Sequence, residues 1–130
     1  AAWTRRQPEV LVAGGVALDP SALAAGAWAG DAAQARRLRD PLAKLAARYL
    51  VHARSRELPL DPVARFHLGN GARIERLNWL ADKSDRGLKQ SWGMMVNYLY
   101  DPDHIEANLE DFATEGRIAA SSTVRRLARR

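Results

Sequence analysis

From Pro41 to about Ser55, the apolar residues Leu42, Leu45, Ala46, Tyr49, Leu50 and Ala53 recur at the i, i+3, i+4, i+7, i+8 spacing of a helix with one buried face. Lys44, Arg48 and Arg54 fall on its polar side, and the loop Arg56-Glu57-Leu58-Pro59 ends it. Pro62 to Leu68 reads as a shorter helix, stopped by Gly69-Asn70-Gly71, whose residues tolerate left-handed backbone. Asn-Gly is also the favoured two-residue hairpin turn, so a hairpin is the competing reading there. Two runs then look extended: Ile74, Leu77, Trp79 and Leu80 alternating with Arg73, Glu75 and Asn78 up to Asp82, and Met94 to Tyr100. On the second run, period two places Val96, Tyr98 and Tyr100 on one face and Asn97 and Leu99 on the other. Ser84 to Ser91 connects them through a helical turn capped by Ser84 and loosened by Gly87. The final quarter is helical again, from His104 through Phe112 and from Ser121 or Ser122 to Arg130.

Four Asp-Pro pairs, at 19–20, 40–41, 61–62 and 101–102, punctuate this pattern. Aspartate caps free amides at a helix start, and proline suits the first turn because its missing N–H has no partner there anyway. Each pair is a candidate helix start. Behind Pro20 comes the short alanine-rich segment Ser21 to Ala27, and Asp31 opens another helical stretch that Pro41 restarts or kinks. Two extended runs embedded among helices predict an α/β or α+β domain in which the pair of strands lies at a sheet edge. No internal repeat or linker marks a domain boundary. A chain of 130 residues buries about two-thirds of its unfolded surface, enough for one core.

Composition narrows the chemistry. There is no cysteine, which removes disulfide frameworks, thiolate metal sites and cysteine nucleophiles. With no redox marker the compartment is open, though a cytoplasmic location fits, and no apolar stretch approaches the roughly 20 residues that span a bilayer. The chain opens Ala1-Ala2-Trp3-Thr4-Arg5-Arg6 with neither a methionine nor a charged-then-apolar leader, which predicts a fragment. The net charge of +5 raises the question of nucleic acid, but four arginines in the last ten residues, Arg125, Arg126, Arg129 and Arg130, carry nearly all of the excess. Arginine favours the negative end of a helix, so a solvated helix end explains the cluster better than a DNA contact. The acidic stretch from Asp101 to Glu115 offers a second tail to neutralise it.

General motifs are absent: no phosphate-cradling glycine loop, no His-Glu-x-x-His, no Gly-x-Ser-x-Gly. The three histidines are 15 and 37 residues apart without a helix-face partner, so no metal site is expected. His52 lies among apolar neighbours near a helix end, where packing or a carbonyl contact accounts for it. Asp82 and Asp85 sit beside Lys83 and Arg86, as a solvated turn would place them. His67 differs, because it falls one residue before the break Leu68-Gly69-Asn70-Gly71, at the end of a short element instead of within a core face.

The stretch DPVARFHLGNGARIERLNWLAD, from Asp61 to Asp82, followed by GMMVNYLY, from Gly93 to Tyr100, resembles the C-terminal part of malonyl-CoA decarboxylases. FHLGNGA, NWLAD, SDRGLKQSWG and NYLY keep the family's order and spacing without a gap between His67 and Tyr100. The helix PLAKLAARYL and Trp28 are similar to the segment ahead of the histidine. About three-quarters of the chain is covered, the first dozen and last thirty residues being less distinctive.

The resemblance implies the C-terminal portion of a GNAT acyltransferase-like catalytic fold, with helices, a terminal pair of antiparallel strands and a C-terminal helix. It implies conversion of malonyl-CoA to acetyl-CoA and carbon dioxide without a metal or organic cofactor, in a homotetramer. His67 matches the family's catalytic histidine. The catalytic serine belongs to an upstream segment with no counterpart among Ser21, Ser55, Ser84, Ser91, Ser121 and Ser122, so the chain is expected to need the remainder of its catalytic domain, including the coenzyme A contacts. Loss of carbon dioxide leaves an enolate that must be stabilised and protonated at carbon. An imidazole, whose ordinary pKa is about 6.5, suits that donor role. Tyr98, Tyr100 and Asn78 are the candidate substrate-binding residues. Two other readings compete: a GNAT-type coenzyme A-dependent acyltransferase, and a small basic nucleic-acid-binding module built on the C-terminal arginines.

Overall fold

The computed structural model describes residues 12–13, 16–17 and 27–129. In order these form β1 (Val12–Ala13), β2 (Val16–Ala17), a 3-10 turn (Ala27–Gly30), α1 (Ala32–His52), β3 (Arg54–Ser55), β4 (Leu58–Pro59), α2 (Pro62–Leu68), β5 (Arg73–Asn78), α3 (Asp85–Ser91), β6 (Met95–Leu99), α4 (Ile105–Glu115) and α5 (Ser122–Ala128). The class is α+β, as the pattern predicts. The chain divides into two compact units, residues 1–46 with 78–95, and residues 47–77 with 96–130.

In the first unit, β1 and β2 pair antiparallel, and Trp28 on the 3-10 turn stacks on Trp79 with centroids 5.5 Å apart. Asp31 opens α1, its Oδ1 accepting from the amides of Ala33 (3.0 Å) and Gln34 (3.2 Å). The helix then runs unbroken for 21 residues with Pro41 inside it, so the second Asp-Pro pair does not start a helix. A buried stripe, Ala35, Leu38, Leu42 and Leu45, is what holds the helical register where Pro41 cannot donate to the carbonyl four residues back. The fourth pair also misses by a few residues: Asp101 accepts the amides of His104 (2.9 Å) and Ile105 (3.0 Å) in a turn, and α4 begins only at Ile105. The pair at 19–20 and most of the alanine-rich segment lie outside the described residues. Trp79 and Leu80 leave the extended run, Leu80 with φ +49, so β5 ends at Asn78. Ser84 caps α3 by accepting from Gly87 N.

The second unit has a buried cluster of its own. Ala47, Leu50, Ala64, Leu68, Ile74, Ile118, Val124 and Ala128 pack as one buried cluster, with Val96, Tyr98 and Phe112 against it. β5 pairs with β6, and Ile74 exchanges backbone bonds with Ala119 and Ser121, 2.9 Å each, through a parallel bridge to Ala120. Ser121 also donates to Glu75 O (2.8 Å) and caps α5 at Val124 N (3.3 Å). The segment expected as a loop after α1 is a hairpin, β3 antiparallel to β4, turned by Arg56 (φ +55) and Glu57 (φ +69). No glycine marks it, so the usual signature of a left-handed turn was missing. Arg65 donates twice to Pro59 O, at 3.2 and 3.0 Å, and holds the returning strand. The acidic residues of 101–115 pair with Arg73, His104 and Arg117 among the described residues, and not with the C-terminal arginines as expected.

Candidate active site

α2 is short, and both of its ends are fastened. At its start Asp61 Oδ2 accepts the amide of Ala64 (2.9 Å) and Pro62 occupies the first turn. At its finish the Gly69 amide bonds Arg65 O, and the amides of Asn70 (3.0 Å) and Ala72 (3.1 Å) converge on His67 O. Gly71 takes φ +88, and Asn108 of α4 donates to its carbonyl at 3.1 Å. The Gly-Asn-Gly segment is therefore a helix stop, and the hairpin alternative does not occur. His67 thus sits in the last turn of α2 with its backbone fixed and its side chain half-buried.

Three rings surround that side chain. Tyr98 stacks on the imidazole, with centroids 4.3 Å apart and planes 20° from parallel. Tyr100 Oη lies 2.6 Å from His67 Nδ1, and Phe66 meets the ring edge-on at 5.2 Å. The two tyrosines are two residues apart on one face, as the alternation predicts; Tyr98 is half-buried and Tyr100 is 41% exposed. With one ring face covered and Nδ1 bonded, Nε2 has no protein partner among the described residues. When the phenol donates to Nδ1, Nε2 carries the ring's proton.

Behind Tyr98 lies a group that sequence reasoning read only as a helix cap. Asp61 Oδ1 accepts from Tyr49 Oη at 3.3 Å. Burial, followed by the Asp61 charge and this hydrogen bond, pushes the Tyr49 phenol up to about 12. Burial also raises Tyr98, helped by the charges of Asp61, Tyr49 and Tyr100. Both shifts keep these phenols as neutral hydroxyls. Tyr49 was legible only as an apolar position of α1; the Asp61-Pro62 pair was the signal that located its partner.

Asn78, the remaining candidate, ends β5, half-buried, within the first unit. Ser84 and Ser121 cap helices, and Ser91 donates to Gly87 O and Met94 O. His67 bonds no serine among the described residues, so a serine–histidine dyad is not assembled there. No three His, Asp or Glu side chains among the described residues converge as a metal would require. No helix among them is long and apolar enough to cross a membrane. The arrangement can do one thing well: hold a single imidazole with one nitrogen available for proton transfer.

The family model for the malonyl-CoA decarboxylase C-terminal domain matches residues 3–130. Mitochondrial malonyl-CoA decarboxylase of Rattus norvegicus is 41% identical over 102 residues, covering 78% of this chain and 21% of that protein. The Anser anser anser enzyme is 40% identical over 97 residues, 75% of this chain and 19% of that protein. Among solved structures, malonyl-CoA decarboxylase from Rhodopseudomonas palustris superposes with a TM-score of 0.82 at 47% identity, over 97% of this chain and 30% of that one. The Agrobacterium vitis enzyme gives 0.81 at 42% identity, over 99% of this chain and 33% of that one. The chain thus spans about a fifth of the length of these curated relatives.

Proposed function

The chain belongs to the malonyl-CoA decarboxylase family, matching its C-terminal domain, and from that premise we propose that it supplies the proton donor of an enzyme that converts malonyl-CoA to acetyl-CoA and carbon dioxide. The observation that carries this reading is the His67 ring, stacked on Tyr98, bonded at Nδ1 to Tyr100 and left with an Nε2 that has no partner among the described residues. In the reaction the bond between the malonyl α-carbon and its carboxylate breaks. Carbon dioxide leaves, and the electron pair moves into the thioester as an enolate. His67, as the imidazolium with its Nδ1–H donating to Tyr100 Oη, then gives its Nε2 proton to the α-carbon and regains one from water. Stacking on Tyr98 fixes the direction of transfer, and positioning of this kind converts directly into rate.

In this proposal Tyr98 and Tyr100 contact the substrate. The catalytic serine and the coenzyme A phosphate contacts come from the rest of the catalytic domain, of GNAT-like fold. The coenzyme A thioester is itself the substrate and no cofactor takes part. The proposal includes a homotetramer in the cytoplasm; the rat and goose relatives are named as mitochondrial proteins, and fractionation of cells producing the full-length protein separates the two compartments. The activity is tested by incubating the full-length protein with malonyl-CoA, with and without an amine acceptor. Carbon dioxide release without acceptor is expected. Acyl transfer to the amine with no carbon dioxide would replace this reading with an acyltransferase.

A further inference from the structure

Away from His67, a cavity of about 410 Å³ opens where α1 and α5 end, lined by Val51, His52, Arg125, Ala128 and Arg129. Its basic residues are His52 of α1 and Arg125 and Arg129 at the end of α5, and Arg48 lies one turn before His52 on α1. His52 Nε2 lies 3.1 Å from Ala128 O. A carbonyl only accepts, so Nε2 carries the hydrogen, and Nδ1 is the ring nitrogen left over. This is the carbonyl contact expected for His52 from the sequence. Arg125 donates through Nε to Ala120 O (3.2 Å) and through Nη2 to Ile118 O (3.1 Å), which fixes its guanidinium and leaves Nη1.

Cations commonly satisfy the last carbonyls of a helix, and that explains His52 and most of Arg125. It does not explain the rest. The Arg129 side chain has no partner among the described residues. Arg48 donates through Nη2 to Arg129 O at 3.1 Å, yet its Nε is buried without an acceptor, a state that folded proteins rarely leave standing. None of these four residues meets a carboxylate: every ion pair among the described residues uses Arg73, His104 or Arg117 as its cation.

We propose that this hollow binds a phosphate-bearing small molecule, with the phosphate between the Arg129 and Arg125 guanidinium groups and the organic part on Val51 and Ala128. Both guanidinium groups come from the end of α5, with Arg125 Nη1 and the Arg129 side chain left to donate, and a tetrahedral oxyanion can accept from several directions at once, whereas the two oxygens of a carboxylate lie in one plane. The cavity exceeds what a bare oxyanion fills, and its apolar residues provide for a carbon skeleton. The site shares no residue with the His67 cluster.

The test uses the full-length protein and phenyl phosphate, followed by calorimetry at fixed ionic strength, with benzoate as the carboxylate control. The wild type should bind phenyl phosphate saturably and more tightly than benzoate. Arg129→Gln, which removes a guanidinium with no bond among the described residues, should weaken phenyl phosphate at least tenfold, and Arg129→Lys should fall between the wild type and Arg129→Gln. Arg126→Gln, one turn away and outside the cavity, should change nothing. Turnover of malonyl-CoA should be the same in all of these variants, so a loss of binding is separable from any failure of the His67 reading. Absence of saturable binding, equal affinity for benzoate, or undiminished binding by Arg129→Gln would each overturn the proposal.

Discussion

Replacing Gly71 with alanine puts a methyl group where the chain leaves the His67 helix. A Cβ there would lie 2.8 Å from Ile105 Cγ2, 2.9 Å from Ile105 O and 3.2 Å from Leu109 Cγ, against the roughly 3.5–4.0 Å of a comfortable carbon contact. The backbone adds to the clash, because φ is +88 and a left-handed conformation costs a residue with a Cβ about 1–2 kcal/mol. Overpacking of this kind costs a further 1–3 kcal/mol or so, and together they come to about 2–5 kcal/mol. The strain should act locally, by lifting α4 from the turn and loosening the bonds of Asn108 to Gly71 O and of Ala72 to His67 O. Amide exchange at Ala72, which is buried, is the direct readout: a local opening easier by 2 kcal/mol speeds it by roughly thirtyfold. Gly30→Ala is the control, since a Cβ there meets nothing within 4 Å; it should leave both Ala72 exchange and turnover unchanged. Wild-type protection of Ala72 in Gly71→Ala would refute the claim that this turn fixes the histidine.

Asp61→Ala should lower stability by about 1 kcal/mol through loss of the cap and should slow turnover, whereas Asp61→Asn, an equally good cap, should retain most of both; equal damage from the two in urea unfolding would contradict the capping role. Alkali tests the buried phenols. A folded pKa raised above the unfolded one stabilises the fold below the unfolded value and ceases to do so as pH rises through the folded value. Stability should therefore decline from about pH 10 toward about 12 as Tyr49 ionises, with Tyr98 adding to the decline. Tyr49→Phe should make the decline shallower, and an unchanged slope of melting temperature against pH would count against it. Tyr100→Phe removes a hydrogen bond to the imidazole worth about 1 kcal/mol together with a substrate contact, so kcat should fall several-fold and KM should rise; a KM effect with kcat unchanged would contradict its role in holding the imidazole.

The parts legible in the sequence are those where local chemistry and tertiary packing agree. Asp61-Pro62 and Gly69-Asn70-Gly71 bracket a helix of seven residues, and the alternation over 96–100 placed Tyr98 and Tyr100 on the face that meets His67. Where the two disagree, the pattern misled. Pro41 signals a break, but the apolar stripe of α1 on both sides of it keeps the helix whole. Arg56 and Glu57 carry no turn signature, and the returning strand is held by Arg65, a contact made across six residues. The bond of Tyr49 to Asp61 spans twelve, and no period relates the two. The pairing of Arg48 with the end of α5 spans 81 residues, which is why the basic cavity was invisible as anything more than a run of terminal arginines.

The central claim is that His67 protonates the enolate, and steady-state carbon dioxide release from malonyl-CoA by full-length His67→Ala measures it most directly. A lost general acid should lower kcat by roughly 10²–10⁴-fold while circular dichroism shows an unaltered fold. Turnover within twofold of the wild type would contradict the account, because the ring that Tyr98 and Tyr100 hold in place would then have no part in the chemistry.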